Sequence, residues 1–139
     1  MKAYVLDTSA LLTLRDDEPG ADRVADLLAQ AQNGEVKAFG CFITLMEVLY
    51  RVWRDEDELA GRLAYAQCLN LPMLWVHDSP ALLVKAAELK ASYPLSLAAA
   101  WIAACATIER ATLVHKDPEF RAVPVGQECL PLKATKRRS

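Results

Sequence analysis

No apolar run in this sequence approaches the roughly 20 residues that a helix needs to cross a bilayer, so no spanning segment is expected. The opening Met-Lys-Ala-Tyr-Val-Leu-Asp meets a carboxylate too soon for a secretory leader, and a cytoplasmic protein without a membrane partner is the expectation. Cysteine is sparse: the four thiols, Cys41, Cys68, Cys105 and Cys129, stand far apart with no C-x-x-C pair. That spacing fits neither a zinc site nor a small disulfide scaffold, and marks reduced thiols held mostly in a core. Internal repeats and interdomain linkers are missing as well. So is a basic surplus, because the formal net charge of -2 argues against a sequence-independent DNA coat.

What is present is material for one compact domain: 139 residues, 53% apolar and 24% charged, enough for a sizeable core. Its charge is unevenly spread. Residues 1–60 carry 12 Asp and Glu against 6 Lys and Arg, and the remainder carries 6 against 10. An acidic front half able to draw cations is thus joined to a basic back half able to meet a polyanion. The run Asp55-Glu56-Asp57-Glu58 reads more simply, as the solvated start of a helix. In the last stretch, 133–139, Lys133, Lys136, Arg137 and Arg138 are too polar to pack. That basic tail is expected to fray, leaving residues 1–132 as the domain.

Along the chain, Ala3-Tyr4-Val5-Leu6 reads as a buried strand that ends at Asp7, followed by a short helix through Leu11 and Leu14. Pro19-Gly20 breaks the chain, and Val24, Leu27, Leu28 and Ala31 mark an amphipathic helix that stops around Asn33-Gly34. A second strand is predicted over Val36 to Cys41, then a helix capped by Thr44 and running to about Arg54, and another from about Glu58 to Leu69. Met73 to Val76 reads as a strand that leads into a helix through Leu82, Ala86 and Leu89. A helix from near Ser96 to near Arg110 precedes a strand at Thr112 to His115, and a weak last strand lies within Val123 to Leu130. Short apolar strands alternating with helices imply an α/β sandwich of three layers, a parallel sheet with helices on both faces.

Ligands of such sheets bind outside the carboxyl ends of the strands, so acids placed there are the first candidates for a site. Asp7 follows the first strand, Asp117 follows the strand at Thr112 to His115, and Glu47 lies early in the helix after the second strand. Each has an ordinary structural use too. Asp7 before Thr8-Ser9 suits a helix cap, Asp117 before Pro118 suits an N-cap with Pro at the first helical position, and Glu47 can pair with Arg51 four residues on. Three carboxylates at one end of one sheet point instead to a divalent-cation site.

Four blocks carry a more specific likeness. They are Val5-Leu6-Asp7-Thr8-Ser9-Ala10-Leu11-Leu12, Ile43-Thr44-Leu45-Met46-Glu47-Val48, Leu95-Ser96-Leu97-Ala98-Ala99-Ala100-Trp101-Ile102-Ala103-Ala104, and Ala111-Thr112-Leu113-Val114-His115-Lys116-Asp117-Pro118-Glu119-Phe120. In order and spacing, from Tyr4 to about Leu132, the chain resembles a PIN domain, most of all the VapC-like toxins of type II toxin-antitoxin systems. The resemblance implies a PIN-like sandwich and an endoribonuclease dependent on Mg2+ or Mn2+. Asp7, Glu47 and Asp117 match the acids that hold the cation, and Thr8 or Ser9 would serve as a hydroxyl orienting Asp7 or a water. It also implies an RNA substrate, pairing as a homodimer, and a cognate antitoxin whose tail occupies the acidic groove.

One letter departs from the pattern. The third block normally reads Leu-Ser-x-Ala-Asp-Ala, and Ala99 stands at the position of the Asp. Fewer charges are then left to offset the dehydration of Mg2+, so the chain is expected to be inactive or weakened. Such a letter is what deliberate inactivation would leave, and also what a degenerate homologue would carry.

The helix from Thr44 to Arg54 is apolar on most of its circumference. Tyr50 and Trp53 are read either as buried within the domain or as anchors of a subunit or antitoxin interface. Arg15, Lys116 and Arg121 are candidates for RNA phosphates. Two other functions are compatible with parts of the pattern. One is a catalytically dead PIN-like module that binds RNA or protein. The other is a phosphatase with an aspartyl nucleophile, although its second acid is missing because position 9 is Ser9.

Overall fold

Residues 1–132 are described by a computed structural model; the basic tail expected over 133–139 lies outside the described residues. The elements run β1 (Ala3–Leu6), α1 (Thr8–Arg15), α2 (Ala21–Gln32), β2 (Lys37–Cys41), α3 (Phe42–Asp55), α4 (Glu58–Leu69), β3 (Leu74–Val76), α5 (Pro80–Ser92), α6 (Leu97–Ile108), β4 (Thr112–His115), a 3-10 turn (Pro118–Phe120) and β5 (Gln127–Cys129). The strands form one sheet in the order β3-β2-β1-β4-β5, and every pairing is parallel.

Alternation along the strands divides the core in two, as a pleat with a period of two requires. Val5, Phe39 and Leu113 face one way and are buried with Leu82 and Leu89 of α5 and Ile102 and Ala103 of α6. Tyr4, Leu6, Ala38 and Val114 face the other, against α1 to α4 through Leu11, Val24, Leu27, Val48 and Ala64. The three-layer α/β sandwich expected from the sequence is therefore the observed fold.

One boundary is corrected. Thr44 does not cap α3: the helix begins at Phe42, with Cys41 as its N-cap residue. β2 runs into α3 without a loop, and Thr44 sits fully buried in the first turn, where its hydroxyl lies within hydrogen-bond distance, 3.1 Å, of that of Thr8. Ser96 caps α6, its hydroxyl accepting from the N–H of Ala99 at 3.2 Å. The last strand is confined to Gln127–Cys129. Within the acidic run, Asp57 caps α4 by accepting from the N–H of Ala60.

All four cysteines are free thiols, and only Cys129 is exposed. Burial of α3 within the domain is incomplete. Tyr50 and Trp53 stay 40% and 43% exposed, each with an arginine, Arg54 or Arg62, over its ring. Among the described residues, no single helix is long and apolar enough to cross a membrane.

Candidate functional site

β1 lies at the centre of the sheet, between β2 and β4, so the carboxyl ends of these three strands deliver their next residues to one rim. Asp7 leaves β1, Asp117 stands two residues past β4, and Glu47 is carried by α3, which continues directly from β2. All three line one cleft of about 90 Å³, together with Thr8, Ser9, Arg51, Ser96, Ala99, Ile102 and Glu119. The three acids, the two hydroxyls and Ala99 are thus all on its wall, whereas Arg15, Lys116 and Arg121, the candidates for RNA phosphates, are not.

Each acid also does the structural work that its local sequence suggests. Asp7 caps α1: its Oδ1 accepts from the N–H of Ala10 at 2.8 Å and from the Ser9 hydroxyl at 2.7 Å. Asp117 caps the 3-10 turn by accepting from the N–H of Glu119 at 2.9 Å. Glu47 accepts from the Thr8 hydroxyl at 2.7 Å on one oxygen and from the Arg51 guanidinium at 3.3 Å on the other. The two hydroxyls after Asp7 therefore divide their task, Ser9 orienting Asp7 and Thr8 orienting Glu47. Ser9 also accepts from the N–H of Lys116, which ties the start of α1 to the end of β4.

The electrostatics single out Asp7. It is only 4% exposed, and its pKa is pushed up to about 7, first by burial and further by the charges of Asp117 and Glu47, against the lowering effect of the Ser9 and Ala10 hydrogen bonds. Its Oδ2 takes no hydrogen bond among the described residues, yet it is not among the sealed unpaired atoms. That oxygen opens to the cleft. A buried carboxylate kept next to other acids, with one oxygen unspent, asks for a cation.

The donors suit a hard cation, since the cleft offers carboxylate and hydroxyl oxygen and neither thiolate nor imidazole. Among the described residues, no three His, Cys, Asp or Glu side chains are grouped tightly enough to enclose an ion on their own. Mg2+ does not require that: it keeps several waters and is held through one or two carboxylates. Asp7 and Asp117 are the carboxylates that could hold it in this way, with Glu47 held alongside by Thr8 and Arg51.

Two residues of the site, His115 and Glu119, carry no sequence signal of their own. His115 is 3% exposed; its Nδ1 accepts from the N–H of Asp117 and its Nε2 faces Gln127 Oε1, so the ring fixes the backbone from which Asp117 projects. Glu119 lines the cleft and accepts from the N–H of Ser96. Arg51 lies on the walls of both the cleft and a neighbouring groove of about 430 Å³ bordered by Arg15, Tyr50 and Arg54. Lys116 is less available than expected, because its side chain is 10% exposed and pairs with Glu18. Arg15 pairs with Asp16 and Glu56, while Arg121 is exposed.

The profile of the PIN domain matches residues 4–126. A search of curated protein sequences finds no match. Among solved structures, VapBC2 from Rickettsia felis bound to a DNA fragment of its promoter is similar at a TM-score of 0.74 and 20% identity, covering 93% of this chain and 99% of that one. DNA-bound VapBC from Salmonella typhimurium gives 0.72 and 18%, covering 93% and 98%. VapC20 from Mycobacterium tuberculosis, a toxin that cleaves the sarcin-ricin loop, gives 0.71 and 18%, covering 92% and 99%. At these identities the likeness speaks for the fold.

Proposed function

The chain belongs to the PIN-domain family, and from that membership we propose that it is a VapC-like toxin, an endoribonuclease dependent on Mg2+ or Mn2+ and weakened by Ala99. The observation that carries this reading is the cleft itself, where Asp7, Glu47 and Asp117 come together from three distant parts of the chain. The bound cation would supply a Lewis acid that activates water for in-line attack on a phosphodiester and screens charge on the leaving oxygen. Asp7 and Asp117 would hold it. Ser9 keeps Asp7 pointed by occupying Oδ1, which leaves Oδ2 for the cleft. Thr8 and Arg51 set the rotamer of Glu47, the acid placed to take a proton from water. Arg51, shared with the adjoining groove, meets the next phosphate of the RNA backbone as the strand passes from the groove into the cleft.

Pairing of this toxin as a homodimer, and its neutralisation by a cognate antitoxin, are supported by the exposed aromatics of α3 and by similarity to solved toxin-antitoxin complexes. The phosphatase reading gains nothing from the geometry, since Ser9, at the position of its second acid, spends its hydroxyl on Asp7 and Lys116.

The test is cleavage of a structured RNA by the chain and by its Ala99→Asp variant. Slow cleavage by the chain, faster cleavage by the variant with Mg2+ or Mn2+, arrest by EDTA, and loss on adding Asp7→Asn are expected. Each 1.36 kcal/mol of lost transition-state stabilisation is about tenfold in rate. An Asp7→Asn change without effect would show that the cleft is not the site, and equal rates for chain and variant would show that Ala99 does not weaken it.

A further inference from the structure

We propose that Glu119 supplies the cation-holding carboxylate that position 99 lacks. The inference rests on the reading above and adds a residue to it.

Ser96 is the N-cap residue of α6, and its hydroxyl accepts from the N–H of Ala99, which makes position 99 the third residue of the helix. In a capping box the acid at this third position reaches back to the backbone N–H of the cap residue. Ala99 has no acceptor to offer. The Ser96 N–H is nevertheless satisfied, by Glu119 Oε1. A carboxylate from another part of the chain is therefore bound to the donor that an acid at 99 would use, and it stands where that acid's carboxylate would stand.

Glu119 is anchored at both ends. Its N–H donates to Asp117 Oδ1. The turn that carries it, Pro118–Phe120, is pinned by Phe120, which is 1% exposed and packs on the His115 ring at 4.9 Å between centroids. Its carboxylate is fastened to the start of α6 through the Ser96 N–H. One oxygen is used there; the other takes no hydrogen bond among the described residues. Glu119 lies on the wall of the cleft that holds Asp7, Glu47 and Asp117.

A second, independent observation points to a ligand at this place. Asp7 is 4% exposed and turns an unpartnered oxygen into the same cleft. Four carboxylates thus surround the cleft despite Ala99, and one of them arrives from the turn after β4 instead of from α6. Glu119 and an acid at position 99 are alternatives for a single N–H, so their contributions to cation binding are redundant and must not add.

Mn2+ binding, followed by calorimetric titration and by electron paramagnetic resonance of the free ion, tests this without reference to cleavage. The full chain is compared with Glu119→Gln, Ala99→Asp, the double variant and Asp7→Asn. In the single variant the Gln amide oxygen still accepts from Ser96, so the cap is kept, and in the double variant it yields that N–H to the carboxylate at 99, the stronger acceptor; melting curves in EDTA verify folding, and the double variant gives a second route if the single one unfolds. Expected is binding by the chain, a loss of at least about tenfold in Glu119→Gln, and recovery in the double variant. Binding that Glu119→Gln leaves unchanged while Asp7→Asn removes it would overturn this inference alone. So would a chain that binds only after Ala99→Asp. Absence of binding in both the chain and Ala99→Asp would overturn the metal-dependent reading itself.

Discussion

Replacing Asp7 by Asn removes one charge and little else. Asn caps helices as well as Asp does, and its amide oxygen can still accept from Ser9 and from the N–H of Ala10, the two partners of Oδ1. The carboxyl it replaces is 4% exposed, with a pKa lifted from 3.8 to about 7, chiefly by burial. In the folded chain this group keeps its proton up to about pH 7; in the unfolded chain it loses it near 3.8. Between those values the folded state binds more protons, so its stabilising contribution is complete below about pH 3.8, declines as the pH rises and is gone above about pH 7. Over that interval the linkage amounts to about 4 kcal/mol at most. Part of it is offset in the variant because the Asn amide must also be desolvated. A gain of about 2 kcal/mol is therefore expected for Asp7→Asn at pH 8 in EDTA, or roughly 5 °C in Tm for a domain of this size. At pH 4 the two proteins should melt together. Thermal unfolding followed by circular dichroism across this pH range is the assay, and excess Mn2+ should raise the Tm of the parent at pH 8 but not that of the variant. A variant no more stable than the parent at pH 8 would refute the argument that burial penalises the charge on Asp7.

Ala99→Asp should act in the opposite sense. It adds a carboxylate at a position 3% exposed, in a cleft with four other acids and with the Ser96 N–H already taken, so repulsion outweighs the helix-dipole benefit of about 0.3–1 kcal/mol; the Tm should fall in EDTA and recover with excess Mg2+, and a rise in EDTA would contradict the clustering of acids. For the homodimer, light scattering at some tens of micromolar, a range that detects weak association, should give twice the chain mass, and a stable monomer would remove it.

The acids at the strand ends are legible in the sequence because their signals are local. An apolar run that stops at Asp7 before Thr8-Ser9, or one that ends ahead of Asp117-Pro118, fixes a strand terminus and a cap within a few residues. Each ordinary use of these acids is realised in the structure, so only their meeting in one cleft separates a site from a set of caps. What escapes local reading depends on partners brought by the sheet. Glu119 has meaning only beside Ser96, His115 only beside Gln127 and the Asp117 backbone, and Arg51 gains its second role from the groove that it borders. Thr44 misleads for a related reason. It has the chemistry of a cap, but the helix has already begun at Phe42, and its hydroxyl is drawn inward by Thr8. Lys116 likewise reads as a free cation until the fold places Glu18 against it.

The pairing of β1 with β4, Tyr4 opposite Thr112 and Leu6 opposite Val114, bears on the order of events at the ribosome. Asp7 and Glu47 are translated early, yet the wall that carries Asp117 and Glu119 exists only after nearly the whole domain has been made. Closing so long a loop is slow compared with local helix formation. A growing chain, or one cut short before β4, therefore carries half of the acids and no cleft, and under the function proposed above any activity would await completion of the fold.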